Sequence, residues 1–266
     1  MTELNGLGTI NIELTSRCNK NCWMCGRRKV DREYPELALE YGDMDFDLLK
    51  SIAAQIPPDV VVQLHRDGDA LLYPRFGEAA ALFSKNIRNI VTNGKLLVEK
   101  ADEIIGNLET LSVSIFEKDE EAEEQRELIR KFLALKSDKK PYVTLRLIGQ
   151  VDTGSYEEFG QRFVRRVLHN PMGSFGYVKR RPCVPEIGVC WDFLMHPCIN
   201  RQGNMSICVR FDPEKLGVLG NVREHSVAEL WNGPQREQWK ALHVAGKRDS
   251  VPLCARCEYW GVPIAP

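Results

Sequence analysis

The sequence predicts an α/β protein that combines an open, curved parallel sheet with a smaller cysteine-rich α+β region. Strand-like and helix-like stretches alternate through the first two thirds of the chain, and the texture changes after Met172. Repeated βα units imply parallel strands joined by right-handed crossovers. Five or six units are too few for a closed eight-stranded barrel, so we predict a partial barrel.

The predicted strands are short apolar runs rich in valine, isoleucine and leucine, as buried parallel strands are. They lie at residues 10–14, 60–64, 89–92, 110–116 and 142–148. Helices are predicted between them at residues 46–56, 76–84, 97–105, 120–135 and 156–168. The first of these carries an apolar stripe formed by Leu48, Leu49 and Ile52.

The cysteine-rich region follows a linker at residues 170–174, which sets the domain boundaries at 1–172 and 173–266. Two strands at residues 193–199 and 204–211 flank an Arg201-Gln202-Gly203 turn and read as a hairpin. Ser226 is a candidate cap for a helix that runs through Trp231. Gly233-Pro234 interrupts it, and a second helix covers residues 235–244.

Composition excludes several classes of function. The net charge is −1, so no strong field attracts nucleic acid or a membrane surface. The first residues show neither the basic nor the apolar segment of a signal peptide, and no apolar run approaches a membrane span. Nine cysteines in such a chain indicate metal ligation in a reducing cytoplasm.

Cys18, Cys22 and Cys25 form the most informative motif, C-x3-C-x2-C, just after the first predicted strand. Three thiolates cannot fill a four-iron cluster, so one iron is left for a small-molecule ligand. The alternatives are a structural zinc site or a disulfide framework. Zinc usually needs a fourth ligand nearby and disulfides need an oxidising compartment, so the cluster is favoured.

This motif resembles that of the radical S-adenosylmethionine (SAM) family. The resemblance implies a partial (β/α)6 TIM-like barrel and a [4Fe–4S] cluster whose open iron binds SAM. A flavodoxin or ferredoxin would reduce the cluster, and a 5′-deoxyadenosyl radical would then remove a hydrogen atom from a substrate carbon.

A second cysteine set follows, with the pair Cys254 and Cys257 joined by Cys190 and Cys208 from the hairpin region. This block resembles the half-length form of the SPASM domain, called twitch, which carries one auxiliary [4Fe–4S] cluster. The pattern is similar to that of a butirosin-pathway family member that oxidises an amino-inositol alcohol. A four-cysteine zinc site remains an alternative.

Cys183 and Cys198 fall outside both sets. We expect Cys198 to be a small buried side chain. A role as substitute ligand or as hydrogen-atom donor stays open for it.

The SAM pocket is expected where parallel strands end. After the second strand, Gly68 and Asp69 partly match the family's Gly-Gly-Glu-Pro motif, and Asn93 belongs to a turn resembling the family's Thr-Asn-Gly. The remaining candidates are two residues of the cysteine loop and three strand residues, namely Trp23, Met24, Ser112, Ser114 and Arg146. A structural salt bridge is an equal alternative for Arg146, and His65 is expected only to close its loop.

The resemblance implies a two-electron oxidation of a small polar substrate, such as a sugar or aminocyclitol, with the auxiliary cluster as electron acceptor. Three alternatives stay open: a peptide-modifying enzyme, an epimerase that uses Cys183 or Cys198, and a non-catalytic zinc-binding protein. Few residues precede the first strand, which disfavours a leader-binding domain. The catalytic base is not assigned.

Overall fold

A computed structural model describes residues 4–166, 168 and 190–257. The strands, numbered along the chain, are β1 Thr9–Ile12, β2 Val61–Gln63, β3 Arg88–Thr92, β4 Thr110–Phe116, β5 Tyr142–Ile148, β6 Arg162–Arg166, β7 Cys198–Ile199, β8 Asn204–Ser206 and β9 Val218–Asn221. The helices are α1 Gly26–Glu33, α2 Phe46–Ala53, α3 Phe76–Leu82, α4 Ala101–Ile104, α5 Ala122–Lys136, α6 Gly154–Glu157, α7 Trp191–Met195, α8 Val227–Trp231, α9 Pro234–Val244 and α10 Pro252–Ala255.

The strands form one sheet in the order β6-β5-β4-β3-β2-β1-β7-β8-β9. Strands β1 to β6 pair in parallel, and β7 joins them as a parallel neighbour of β1. Strands β8 and β9 then add antiparallel pairs. The mixed α/β fold with a parallel sheet is therefore confirmed, and the second half of the chain extends that same sheet.

The sheet has one apolar face and one polar face, because successive strand residues point to opposite sides. Buried isoleucine, leucine and valine side chains of β1 to β5 join the helices in the main core. The other face of the sheet is lined by polar residues that are aligned across neighbouring strands. We call it the polar face. It comprises Asn11, Gln63, Asn89, Ser112, Ser114, Thr144 and Arg146, continued by Glu13 and His65 just beyond β1 and β2.

The predicted helix at residues 156–168 is wrong. A single helical turn, α6, is followed by β6, which pairs with β5 at the edge of the sheet. Three arginines in five residues hide this strand from a search for apolar runs, yet charged residues are common on edge strands. The sheet therefore has a sixth parallel strand that the sequence did not predict.

The hairpin prediction is correct only around its turn. Residues 191–195 are helical instead of extended, and the strands are limited to β7 and β8. Gly203 has a φ of +91°, which explains the glycine at this turn. The predicted Ser226 cap is confirmed, because its hydroxyl accepts from the Glu229 amide while Glu229 bonds back to the Ser226 amide.

The remaining predicted helices are present with shorter or shifted ends, and α1 was not predicted. The sequence of α1 is mostly charged, and Val30 is its only large apolar residue, although Gly26 and Arg27 are buried as well. None of the helices in the described part of the chain is long and apolar enough to cross a membrane. The predicted domain boundary at residue 172 and Cys183 both lie outside the described residues.

Candidate active site and second cysteine site

The first three cysteines lie together on the loop between β1 and α1. Cys25 directly precedes α1, and its amide donates to the carbonyl of Cys22 at 3.1 Å. Burial, followed by the proximity of Cys18 and Cys25, raises the pKa of the Cys22 thiol to about 12. A bound iron centre offsets such mutual repulsion, because its positive charge lets neighbouring thiols ionise together. The donor set therefore fits an iron–sulfur cluster.

Gly68 and Asp69 support this cysteine loop from the end of β2. A Cβ atom on Gly68 would lie 2.3 Å from the Thr15 carbonyl oxygen and 2.5 Å from that of Arg17, so only glycine fits. The Asp69 amide donates to the Arg17 carbonyl at 2.9 Å. The buried Asp69 carboxylate accepts from three groups, the amides of Leu71 and Asn93 and the hydroxyl of Thr92. Asp69 thereby joins the ends of β2 and β3 beneath the cysteines.

Asn93 reaches the same loop from the turn after β3. Its side-chain amide donates to Asn19 Oδ1 at 2.8 Å and lies 3.7 Å from Cys18 Sγ. Gln125 of α5 holds the turn by donating to the Asn93 carbonyl at 2.6 Å. Asn93 is therefore placed to present an N–H group to a cysteine sulfur.

Two side chains of the cysteine loop fasten it to the segment after β4. The buried Lys20 ammonium lies 2.8 Å from Asp119 Oδ2 and 2.9 Å from Glu121 Oε2. Burial opposes the charged lysine, but its bonds to these carboxylates outweigh that effect and raise the Lys20 pKa. The Trp23 indole donates to the Glu117 carbonyl at 3.1 Å. Trp23 as a whole is 44 % exposed, so part of its surface stays accessible.

The residues predicted to bind SAM fall into two groups. Trp23, Met24, Gly68, Asp69 and Asn93 belong to the cysteine loop or contact it. Ser112, Ser114 and Arg146 lie on the polar face, where Ser114 and Arg146 are register partners. The structure therefore brings the first group together and places the second group on the neighbouring strands.

Sequence reasoning missed a buried polar cluster where β1 and β2 end. Glu13 accepts from the amides of Arg201 at 3.0 Å and Asp67 at 3.4 Å. Burial, followed by the charge of Asp67, raises the Glu13 pKa. Arg66 lies 3.6 Å from Asp67. Burial and then nearby cationic side chains lower the pKa of His65 to about 3, so this ring is neutral at pH 7. The alternation of Asn11 and Glu13 with apolar residues in the sequence could have indicated this polar face.

A hydrogen-bonded row connects the polar face to the second cysteine site. His196 contacts Asn11 Oδ1 through Nε2 at 2.5 Å and Asp192 Oδ1 through Nδ1 at 3.3 Å. The Asn11 amide donates to the His65 carbonyl at 2.8 Å. Asp192 also accepts from Arg210 at 3.0 Å. Burial opposes the ionised Asp192, but its bond to His196 and the charge of Arg210 lower its pKa.

Cys190, Cys208, Cys254 and Cys257 line one small cavity, together with Phe193, Leu253, Asp192 and Arg210. Burial raises the pKa of Cys208 well above its usual range, and burial followed by Cys257 and Cys190 raises that of Cys254 to about 12. Four thiols in one cavity form a donor set that suits a [4Fe–4S] cluster. Within the described residues, no three cysteine, histidine or acidic side chains surround a single point as one metal ion would require.

Local packing brings the last two cysteines to the hairpin. A Cβ atom on Gly217 would lie 2.5 Å from Leu253 Cδ2, so glycine permits the close approach of α10. The Asp212 carboxylate accepts from the Gly217 amide at 2.8 Å. Arg248 donates to the Cys254 carbonyl at 2.7 Å and thereby holds α10.

Cys198 lies on β7, in register with Asn11. As expected, its side chain is fully buried, and burial raises its pKa to about 11. Its thiol donates to the Cys208 carbonyl at 3.2 Å. Cys198 is therefore a neutral thiol between the polar face and the second cysteine site.

Comparison with known proteins adds a family assignment for the C-terminal part. Residues 190–258 match the SPASM family, described as an iron–sulfur cluster-binding domain. This segment contains all four cysteines of the second site. The description of this family favours an iron–sulfur cluster over zinc for this part of the chain.

Similar proteins extend the comparison to the remaining residues. The chain is 21 % identical to an S-adenosyl-L-methionine-dependent 2-deoxy-scyllo-inosamine dehydrogenase from Niallia circulans, over 93 % of this chain and 91 % of that protein. The crystal structure of BtrN in complex with AdoMet and 2-DOIA matches with a TM-score of 0.66 and 18 % identity, covering 97 % of this chain and 95 % of BtrN. A tungsten-containing aldehyde ferredoxin oxidoreductase cofactor-modifying protein from Pyrococcus furiosus is 32 % identical over 109 residues, 39 % of this chain and only 28 % of that relative.

Proposed function

We propose that the chain is a radical SAM enzyme that dehydrogenates a small polar substrate in a two-electron oxidation, supported by its SPASM-type C-terminal part and its similarity to a SAM-dependent dehydrogenase. The observation that carries the proposal is the row Asn11–His196–Asp192, which links the polar face to the cavity of the second cysteine set. A dehydrogenation needs such proximity, because the substrate that has lost a hydrogen atom must still lose one electron to an acceptor and one proton to a base.

We assign the first cluster to Cys18, Cys22 and Cys25 and the auxiliary [4Fe–4S] cluster to Cys190, Cys208, Cys254 and Cys257. Cys18 and Cys25 lie close enough to Cys22 to raise its pKa, and the other four cysteines line one cavity. These two groupings support the assignment. The auxiliary cavity offers four thiols, so a cluster there needs no ligand from outside the chain. That arrangement suits electron transfer, whereas the three-cysteine site leaves room for SAM.

The pocket for SAM is proposed between the cysteine loop and the polar face, in a sheet that curves as a partial (β/α)6 barrel. Trp23, Met24, Gly68, Asp69 and Asn93 would lie on one side. Ser112, Ser114 and Arg146 would lie on the other. The carboxylate of Asp69 is fully engaged within the chain, so we propose that Gly68 and Asp69 contribute backbone and support instead of a side-chain contact.

When bound, SAM and the first cluster supply a 5′-deoxyadenosyl radical that removes a hydrogen atom from carbon, and the second cluster offers a site for the remaining electron. The chain binds and orients the substrate through the polar face. Glu13, with its raised pKa, and the neutral His65 offer hydrogen bonds to hydroxyl or amine groups. Buried polar groups are normally hydrogen-bonded, so these side chains favour a substrate whose hydroxyl or amine groups form hydrogen bonds with them.

The substrate class we propose is a sugar or aminocyclitol. The Niallia circulans relative is named as a dehydrogenase of 2-deoxy-scyllo-inosamine, and the BtrN crystal structure contains 2-DOIA. The polar face, with amide, hydroxyl and charged groups on adjacent strands, suits such a molecule. We further propose residues 1–172 and 173–266 as the two domains, the cytoplasm as the location, and a flavodoxin or ferredoxin as reductant.

Incubation of the reduced enzyme with SAM and a panel of aminocyclitols in heavy water tests this function. We expect a ketone product together with 5′-deoxyadenosine, and no solvent deuterium on the substrate carbon. Deuterium incorporation without ketone would instead indicate epimerisation. The variant with Cys18, Cys22 and Cys25 all changed to Ala is the control and should form neither product.

A further inference from the structure

His243 places an imidazole nitrogen against one cysteine of the second site. Its Nε2 atom lies 3.3 Å from Cys254 Sγ, and its side chain is fully buried. The ring stacks on Phe193, with centroids 4.2 Å apart and planes 17° from parallel. Phe193 also lines the cavity, three residues after Cys190. The orientation of the imidazole is therefore fixed by a residue of the same site.

The chemistry of the pair sets the direction of this hydrogen bond. A cysteine that ligates iron is a thiolate and can only accept, so the proton must lie on Nε2. The lone pair then lies on Nδ1, which has no hydrogen-bond partner among the described residues. Phe193 and Cys254 belong to an apolar cluster with Ile207 and Trp239. An unpaired nitrogen costs free energy there, so an apolar residue would be the simpler choice if the position served packing alone.

We propose that His243 donates a hydrogen bond to the Cys254 thiolate and thereby raises the reduction potential of the second cluster. The inference rests on the proposed function, because it takes Cys254 as a cluster ligand. Hydrogen bonds to cluster sulfurs help to set such potentials. The bond stabilises the reduced cluster more than the oxidised one, since the reduced cluster carries more negative charge. His243 acts through Cys254 and is a positioning residue.

The test uses the full chain with Cys18, Cys22 and Cys25 changed to Ala, so that only the second cluster contributes. His243→Phe keeps the stacked ring without its N–H group, and His243→Gln keeps an N–H donor. Trp239→Phe, on the same helix and in the same apolar cluster, is the matched control for packing. Each protein is reconstituted anaerobically and titrated against potential with detection by EPR.

At the potential where the parent cluster is half reduced, we expect the ratio of reduced to oxidised cluster to fall roughly fivefold in His243→Phe, which corresponds to one net hydrogen bond. His243→Gln should show a smaller fall, and Trp239→Phe should match the parent. If His243→Phe titrates with the parent, the inference is overturned while the proposed function stands. A parent that forms no cluster overturns the proposed function, and the inference with it.

Pulsed EPR on the parent labelled with [15N]histidine gives an answer even if His243→Phe forms no cluster. We expect one weak nitrogen coupling to the second cluster, transmitted through the hydrogen bond. No coupling overturns the inference. A strong coupling typical of a direct iron–nitrogen bond overturns it as well, because His243 would then be a ligand.

Discussion

Gly68 shows how one residue far from the cysteines in sequence can hold their loop in place. Its backbone lies directly beneath the chain that leads to Cys18, with the Thr15 and Arg17 carbonyl oxygens where a Cβ atom would be. The partial match of Gly68 to a family motif predicts contact with SAM. The structure adds a packing reason for the same glycine.

Gly68→Ala should therefore destabilise the protein by about 1–3 kcal/mol, the range for overpacked sites, and lower the iron held by the first three cysteines. Gly77→Ala is the matched control, because its new Cβ would meet nothing closer than 3.4 Å and it lies within α3. Chemical denaturation and iron analysis measure both effects. Full stability and full iron in Gly68→Ala would contradict this role.

Lys20 is the buried cation of the cysteine loop, and its loss would leave the buried Asp119 carboxylate without this partner. Lys20→Met should cost about 3 kcal/mol, since removing one partner of a buried ion pair leaves an uncompensated charge. Lys100→Met is the control, because the Lys100–Glu103 pair is a more exposed i,i+3 pair worth at most about 1 kcal/mol. The free energy of unfolding is measured by urea denaturation. Equal decreases in the two variants would contradict a larger contribution from the buried Lys20 pair.

Glu121 gives a dependence of stability on pH. Its bonds to Lys95 and then Lys20 lower its pKa in the folded state. A folded pKa below the unfolded value of about 4.3 means that the contribution is complete at higher pH and is lost as the pH falls through the folded pKa. Glu121→Gln should therefore flatten the loss of stability below about pH 5. Glu99→Gln, at an exposed position, should keep the wild-type slope, and identical slopes in all three proteins would refute the assignment.

At the scale of elements, the hairpin joins the two cysteine sites through strand pairing. Strand β7 adds to β1, and the turn after it brings Arg201 to the segment that leads to Cys18. Arg201 Nε donates to Ser16 Oγ at 3.1 Å, and Nη2 donates to the Glu40 carbonyl at 2.5 Å. The joint between the two halves of the chain is therefore hydrogen-bonded as well as paired.

Arg201→Ala should destabilise the fold by about 1–2 kcal/mol through these lost hydrogen bonds, while the Arg201 amide still binds Glu13. Arg223→Ala, at an exposed arginine of the following loop, should have little effect. Thermal unfolding of the two variants makes the comparison. Equal melting temperatures for the two variants would contradict a stabilising role for the Arg201 hydrogen bonds.

The sequence predicts best those elements whose formation depends on residues close to one another in the chain. The apolar runs of β1 to β5 and the Ser226 cap depend on neighbouring residues, and they are present. Strand β6 escapes a search for apolar runs because an edge strand can be charged. The short apolar pattern of α7 fits a strand as well as a helix, so the sequence predicts a strand there. Local pattern cannot decide such cases without the tertiary partner.

At the scale of the whole molecule, the cysteine sets follow from spacing, whereas the connection between them does not. His196 meets Asn11 across 185 positions of sequence, and no local pattern pairs them. His243 and Cys254 likewise lie on different helices, α9 and α10, and no local pattern pairs them. The grouping of the cysteines into two sets was therefore predictable, whereas the polar row that relates the sets required the fold.

The central claim is that this chain holds two distinct four-iron clusters. Iron and sulfide analysis with Mössbauer spectra, on the anaerobically reconstituted wild type and on the variant with Cys18, Cys22 and Cys25 changed to Ala, tests it most directly. We predict about eight irons per chain in the wild type and about four in the variant, as two four-iron clusters require. About four irons falling to none, with zinc bound in both proteins, would contradict the account.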